Sequence, residues 1–184
     1  MTIIYSNLLD DDCRVLREIW EGFNNVKVIE ITPMSEDYEN IINEAISNEK
    51  DILICCGHGT SYGLLFPDFN RGEYLIHENN VNLINAKNVI FSWCYASSFA
   101  INHPNVTNCF ATSMFISNAH EAVDNGIYDY LQDQINATGS RFYQEINYLL
   151  KNNIPINEWV MRLGAHADIE NAVDMFNRQA LHYQ

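Results

Sequence analysis

Basic residues are scarce in this chain. Ten Lys and Arg stand against twenty-four Asp and Glu, a formal net charge of −14 over 184 residues. A field of that sign repels phosphate backbones and anionic headgroups, so neither nucleic acid nor a membrane surface is an expected partner. Basic peptides and proteins would be attracted, although acidity of this size also serves solubility alone. No apolar run is long enough to cross a bilayer, and the opening Met1-Thr2-Ile3-Ile4-Tyr5-Ser6-Asn7 carries no basic leader. The expected location is cytoplasmic. Cysteine occurs five times, an odd number, and Cys55 and Cys56 are adjacent inside an apolar run, so free thiols are expected rather than a disulfide framework. The Asn105-Val106-Thr107 and Asn136-Ala137-Thr138 sequons then carry no meaning. There is no internal repeat and no low-complexity linker, and 47% hydrophobic content suffices for a core. Residues 1–184 are therefore read as a single domain.

Strands and helices alternate along what is present. Thr2 to Tyr5 and Val26 to Ile31 are short β-rich runs, and Val15, Leu16, Ile19, Trp20 and Phe23 mark one face of a helix between them. The Asp10-Asp11-Asp12 run suits a helix start, where negative charge complements the dipole, and is assigned no chemistry. After Pro33, Ser35 is placed to cap a helix with the face Tyr38, Ile41, Ile42, Ala45 and Ile46. A strand then leads to His58. Residues 60–80, with Gly63, Pro67 and Gly72, read as a loop or small hairpin over the site, followed by a short helix before Asn88. A further short helix runs through Phe99 and stops before Pro104, and Asn108 to Met114 reads as the fifth strand. From Asn118 the pattern is helical, with faces at Ala122, Val123, Tyr130 and Leu131, then Phe142, Ile146, Leu149 and Leu150, then Trp159, Val160 and Leu163, then Ile169, Val173 and Phe176. This alternation predicts a doubly wound α/β sandwich.

Two of the apolar runs end on reactive side chains: Ile52-Leu53-Ile54-Cys55-Cys56-Gly57-His58-Gly59 and Asn88-Val89-Ile90-Phe91-Ser92-Trp93-Cys94. Runs of this length read as strands buried on both faces, and ligands sit beyond the carboxyl ends of such strands. If the two are neighbours, about 4.8 Å apart, imidazole and thiol meet despite their separation in sequence. A free Cys is mostly protonated at neutral pH, so a nearby imidazole, or the start of the helix after Cys94, is needed to favour the thiolate. Gly59 can bring its backbone N–H close to a substrate carbonyl and, with the N–H of Cys94, form an oxyanion hole.

These blocks resemble the caspase-like fold cysteine peptidases, whose motif is an apolar strand ending His-Gly and, one strand on, an apolar strand ending in the nucleophilic Cys. Within that group the chain looks most like the CHAT and gingipain-type branch. Phe110-Ala111-Thr112-Ser113-Met114-Phe115 resembles that branch's next strand, while Phe142-Tyr143-Gln144-Glu145, Leu149-Leu150 and Asn157-Glu158-Trp159-Val160 resemble its closing helices. The likeness covers roughly residues 50–165. It implies a three-layer sandwich with a mostly parallel sheet of five to six strands and helices on both faces. It further implies a cysteine endopeptidase with catalytic His58 and Cys94, no cofactor, a peptide or protein substrate and control by a separate regulatory protein. One departure stands out: the family places a small residue before the nucleophile, and this chain has Trp93, which either points into the core or fills part of the substrate pocket. Trp93, Ser113, Asp68 and Asp124 are the residues expected to border that pocket. An acid there, Asp68, Glu121 or Asp124, would select a basic residue before the cleaved bond, in line with the preference that gingipain-type members imply.

Three other readings compete. Zinc held by Cys55, Cys56, His58 and His77 is disfavoured, because neighbouring strand residues point to opposite faces, and no metal is expected. A glutaminase-like or α/β-hydrolase triad would need a glycine-flanked elbow that Ser92-Trp93-Cys94-Tyr95-Ala96 lacks, with His120 or His166 as base. The third is a catalytically inactive caspase-like module that binds a protein partner.

Overall fold

In the computed structural model, which describes residues 1–179 and 181–184, strands β1 (Thr2–Ser6), β2 (Lys27–Ile31) and β3 (Ile52–Cys56) are followed by the short strands β4 (Gly59–Thr60), β5 (Gly63–Leu65) and β6 (Tyr74–Ile76), then by β7 (Asn88–Ser92), β8 (Cys109–Ala111) and β9 (His182–Tyr183). The helices are α1 (Asp11–Val15), α2 (Tyr38–Asn48), α3 (Ala96–Asn102), α4 (Ala119–Asp124), α5 (Gln132–Lys151), α6 (Trp159–Ala165) and α7 (Ala172–Gln179). Six strands form one sheet in the order β2-β1-β3-β7-β8-β9, parallel throughout except for β9, and β4, β5 and β6 form a small antiparallel sheet.

The apolar runs make sense once both faces of the large sheet are covered, because period-two alternation then divides each run between two cores. Ile4, Leu53, Cys55, Val89 and Phe91 face α2, α3 and the small sheet. Ile3, Tyr5, Ile54, Cys56 and Ile90 face α1, α5 and α6. The result is the expected three-layer α/β sandwich, and Cys55 and Cys56 are fully buried on opposite faces of it.

Several local expectations are corrected. Ser35 does not cap α2: its hydroxyl accepts from the Thr32 N–H, and the helix starts after Asp37 in a left-handed conformation. Ile41, Val123, Leu131 and Ile169 are exposed, so the helical faces are narrower than the periodicity suggests. The helix after Asp10 tightens into a 3-10 turn over Leu16–Trp20. The strand expected from Asn108 to Met114 is only Cys109–Ala111: the Thr112 N–H still reaches the Phe91 carbonyl at 3.1 Å, but its own carbonyl accepts from the Ser97 N–H at 2.8 Å and its hydroxyl donates to the Trp93 carbonyl at 2.8 Å.

A buried ion network ties the C-terminal helices together. Arg178 donates to Asp174 at 2.9 Å, to Glu145 at 2.7 Å and to the Leu163 carbonyl at 2.8 Å. Burial raises the Asp174 carboxyl, but the Asp168 N–H and the Arg178 guanidinium outweigh it and hold the group below its ordinary 3.8. A depressed carboxylate contributes stability that is fully present above its unfolded pKa and is lost as pH falls through the folded one. The urea midpoint is therefore expected to hold at neutral pH and to fall below about pH 4. In Asp174→Asn, which lacks the titrating group, the fall should be shallower.

Candidate active site

The adjacency of β3 and β7 brings the ends of the two runs to one cleft. Their register pairs Cys56 with Ser92, and the Gly57 N–H continues the ladder to the Ser92 carbonyl at 3.2 Å. His58 and Cys94 each stand two residues beyond that last pair, past the ends of β3 and β7. Cys94 packs against the core that carries Cys56, and His58, past the turn at Gly57, stands on the same side beside Cys13. Both line one small cleft, together with Asp12, Cys13, Ser92 and Tyr143. Its free volume is about 30 Å³, room for one or two waters. The Ser92 hydroxyl borders it, buried and without a hydrogen-bond partner among the described residues.

Gly57 permits this geometry. Its φ is +146°, and a Cβ there would press on the Ser6 carbonyl at 2.6 Å, so the chain can leave β3 in this direction only without a side chain.

His58 is held from outside its own motif. Its Nε2 lies 2.8 Å from Asp10 Oδ2, and the Phe69 ring stands edge-on to the imidazole at 5.4 Å. Asp10 is also the expected helix cap, accepting from the Cys13 N–H through Oδ1 at 2.8 Å. Burial pushes its carboxyl up, yet these hydrogen bonds more than offset that and keep it below its ordinary value. The assignment of no chemistry to the acidic run is thus incomplete: one carboxylate both starts a helix and orients the imidazole. With Nε2 taken, Nδ1 is the ring nitrogen left to exchange a proton.

Cys94 is a neutral thiol. Its Sγ lies 3.5 Å from the Phe115 carbonyl, to which it donates. Burial pushes its pKa up to about 11, the Phe115 contact offsets part of this, and the Glu121 and Asp12 carboxylates add to the rise. A thiol in this state would need a base to become a nucleophile. The other four cysteines are buried to within 1% exposure. Small alkylating agents should therefore modify Cys94 first, at a rate rising with pH towards about 11. Peptide mapping after iodoacetamide treatment checks this, and faster modification of Cys13 or Cys109 would contradict it.

Trp93 turns away from the thiol. Its indole is 2% exposed, stacks near Phe91 and Phe99 at 4.6 and 5.6 Å, and donates through Nε1 to the Thr60 carbonyl at 3.1 Å. Of the two alternatives, the core position holds: the residue borders the cleft, but its ring belongs to the opposite face of the sheet. Gly59 lies beneath it, where an added Cβ would run into the indole ring and the Gly63 carbonyl. The Leu65 N–H donates to the His58 carbonyl at 2.9 Å, and Gly59 faces Leu64 across the ladder. Alternation in an antiparallel pair then turns the Gly59 N–H outward, to the unpaired edge of β4. The Cys94 N–H has no acceptor among the described residues.

The remaining pocket residues are elsewhere. Asp68 caps the turn over Phe69–Arg71, Asp124 is exposed and lies 3.8 Å from His120, and Ser113 follows β8 without lining the cleft. Of the three candidate acids only Glu121 is near the thiol, joined by Asp12, and each lies 3.0 Å from the Ser117 hydroxyl as an acceptor. His120, on α4, and His166, just past α6, are exposed and do not line the cleft. No helix is long and apolar enough to cross a membrane among the described residues. Comparison of the chain with protein-family models, with curated proteins and with solved structures finds no match in any of the three.

Proposed function

We propose that the chain is a cysteine endopeptidase of the caspase-like kind, with Cys94 as nucleophile, His58 as general base and acid, and Asp10 as the group that orients the imidazole. The observation that carries this reading is the Asp10–His58 pair past the end of β3, its imidazole lining one cleft with Cys94, past the end of β7. Nucleophile, base and orienter recur in this relation on unrelated folds, so roles and geometry, not chain order, are the relevant criteria.

In the reaction, His58 Nδ1 takes the Cys94 proton as sulfur bonds to the peptide carbonyl carbon, and the carbonyl electron pair moves onto oxygen. The N–H groups of Cys94 and Gly59 would receive that oxyanion. Collapse breaks the C–N bond while the imidazolium returns its proton to the leaving amine. Water, deprotonated by His58, then hydrolyses the thioester. Because the thiol is neutral at rest, proton transfer to His58 accompanies attack rather than preceding it. The cleft is small, with room for one or two ordered waters, so a peptide would lie across its mouth.

Asp12 and Glu121 supply negative charge beside the thiol, which favours a basic residue before the cleaved bond. A fluorogenic panel should show hydrolysis after Arg or Lys, lost in Cys94→Ala. Asp12→Asn with Glu121→Gln should reduce the preference for basic over apolar residues by about tenfold, roughly 1.4 kcal/mol. Hydrolysis after Asp would reject the assignment.

The second reading, an inactive module that binds a protein partner, is favoured by the raised thiol pKa and the narrow cleft. It predicts no turnover on any peptide and no dependence of Cys94 chemistry on His58.

A further inference from the structure

The Asp10–His58 pair has a third neighbour. One ligand atom each from Asp10, Cys13 and His58 lies within 4.8 Å of the others. We infer that these three side chains form a binding site for a borderline-soft divalent cation of the zinc class, with the fourth coordination position open to the cleft. The donor set combines a carboxylate oxygen, a thiol sulfur and an imidazole nitrogen, which suits zinc far better than calcium or magnesium. It differs from the set of Cys55, Cys56, His58 and His77 weighed above, since Cys13 stands on α1, on the same face of the sheet as the imidazole.

A second observation points to a ligand at this place. The cleft that Cys13 and His58 line has space for one or two waters, and the Ser92 hydroxyl, 2% exposed, borders it without a partner among the described residues. A water on the open position would give that hydroxyl its missing hydrogen bond. Binding requires modest adjustment. Tetrahedral zinc with bonds of about 2.0 to 2.1 Å sets its N and O ligands about 3.3 Å apart, against 2.8 Å between His58 Nε2 and Asp10 Oδ2. Cys13 gives up its weak contact to the Ser6 carbonyl, 3.5 Å long. Its S–H proton leaves to solvent as the sulfur–metal bond forms, and no electron is transferred.

One consequence rests on the proposed peptidase reading. A metal on Nε2 takes that nitrogen's lone pair and leaves the neutral ring's single N–H on Nδ1, so Nδ1 has no lone pair with which to accept the Cys94 proton; metal occupancy and His58-assisted chemistry at Cys94 therefore exclude one another. The same three residues would then serve as a metal-sensitive lock.

The test uses the full chain, freed of metal and titrated with zinc chloride by calorimetry and with cobalt chloride by absorption spectroscopy. The expected result is one ion per chain, with a thiolate-to-cobalt charge-transfer band in the near ultraviolet. Cys13→Ser should abolish the band and weaken zinc binding at least tenfold, as should His58→Ala on affinity, whereas Cys94→Ser should keep both. Absence of saturable binding, or binding unchanged in Cys13→Ser, would overturn the site. Electrophile labelling of Cys94 with and without zinc reports the consequence separately. Slower labelling with zinc supports the lock. Binding with unaltered labelling leaves the metal site standing and rejects the exclusion.

Discussion

His58→Ala is expected to lower kcat/KM for peptide hydrolysis by about 100- to 10,000-fold, the range that a positioned general acid–base contributes. The size of the effect follows from the state of the thiol. Burial pushes its pKa up to about 11, so Cys94 is almost wholly protonated at neutral pH and, in the proposed peptidase, turnover would depend on assisted proton removal. Stability should change little, because the imidazole is partly exposed and belongs to neither core. Asp10→Asn keeps the shape of the orienting group and removes its charge, and should therefore lose less activity than His58→Ala. Asp10→Ala should in addition cost about 1 kcal/mol of stability, since it deletes the cap of α1. Steady-state kinetics beside urea unfolding separates the two contributions, and a His58→Ala variant with unchanged kcat/KM would remove the imidazole from the mechanism.

The second large effect concerns Gly59 and Trp93. Trp93→Ala should destabilise the protein by about 3 to 5 kcal/mol, because the indole fills the core between β7, α3 and the small sheet and leaves a cavity when removed. Gly59→Ala should also be severe, since its new Cβ would occupy the space of the same ring. In the double variant the methyl group enters the vacated space. The two losses should then fall short of additivity by about 1 to 3 kcal/mol, a coupling measurable in a double-mutant cycle. That cycle also distinguishes the roles of Gly59. If the double variant folds and keeps the Gly59 N–H at the open edge of β4, it should regain peptide hydrolysis relative to Gly59→Ala. Additive losses would mean that the indole and the glycine do not constrain one another.

Much of this site could be read along the chain because parallel strands buried on both faces leave a strong mark. The stretches Ile52 to Cys56 and Val89 to Phe91 carry no polar residue, and each leads to the edge at which a doubly wound sheet holds its ligands. The orientation of Trp93 was legible in principle too. It alternates with Ser92 and Cys94, so a thiol on one face puts the indole on the other. Asp10 left no such mark. An acidic residue before a helix is sufficiently explained as a cap, and its second partner lies 48 residues away, joined only through the pairing of β1 with β3. Asp12 was passed over for the same reason, while Asp68 and Asp124, attractive by position, are engaged in local turns and helix ends. The strand β9 is two residues long and antiparallel, too short for any period to register.

The central claim is that His58 activates Cys94. The most direct measurement is mass-spectrometric mapping of a peptidyl electrophile, carrying Arg before its reactive group, on the native chain and on His58→Ala under non-denaturing conditions. The account predicts selective labelling of Cys94 in the native protein, slowed at least 100-fold in the variant. Labelling of Cys94 at equal rates in both, or no preference for Cys94 over the buried thiols, would contradict it.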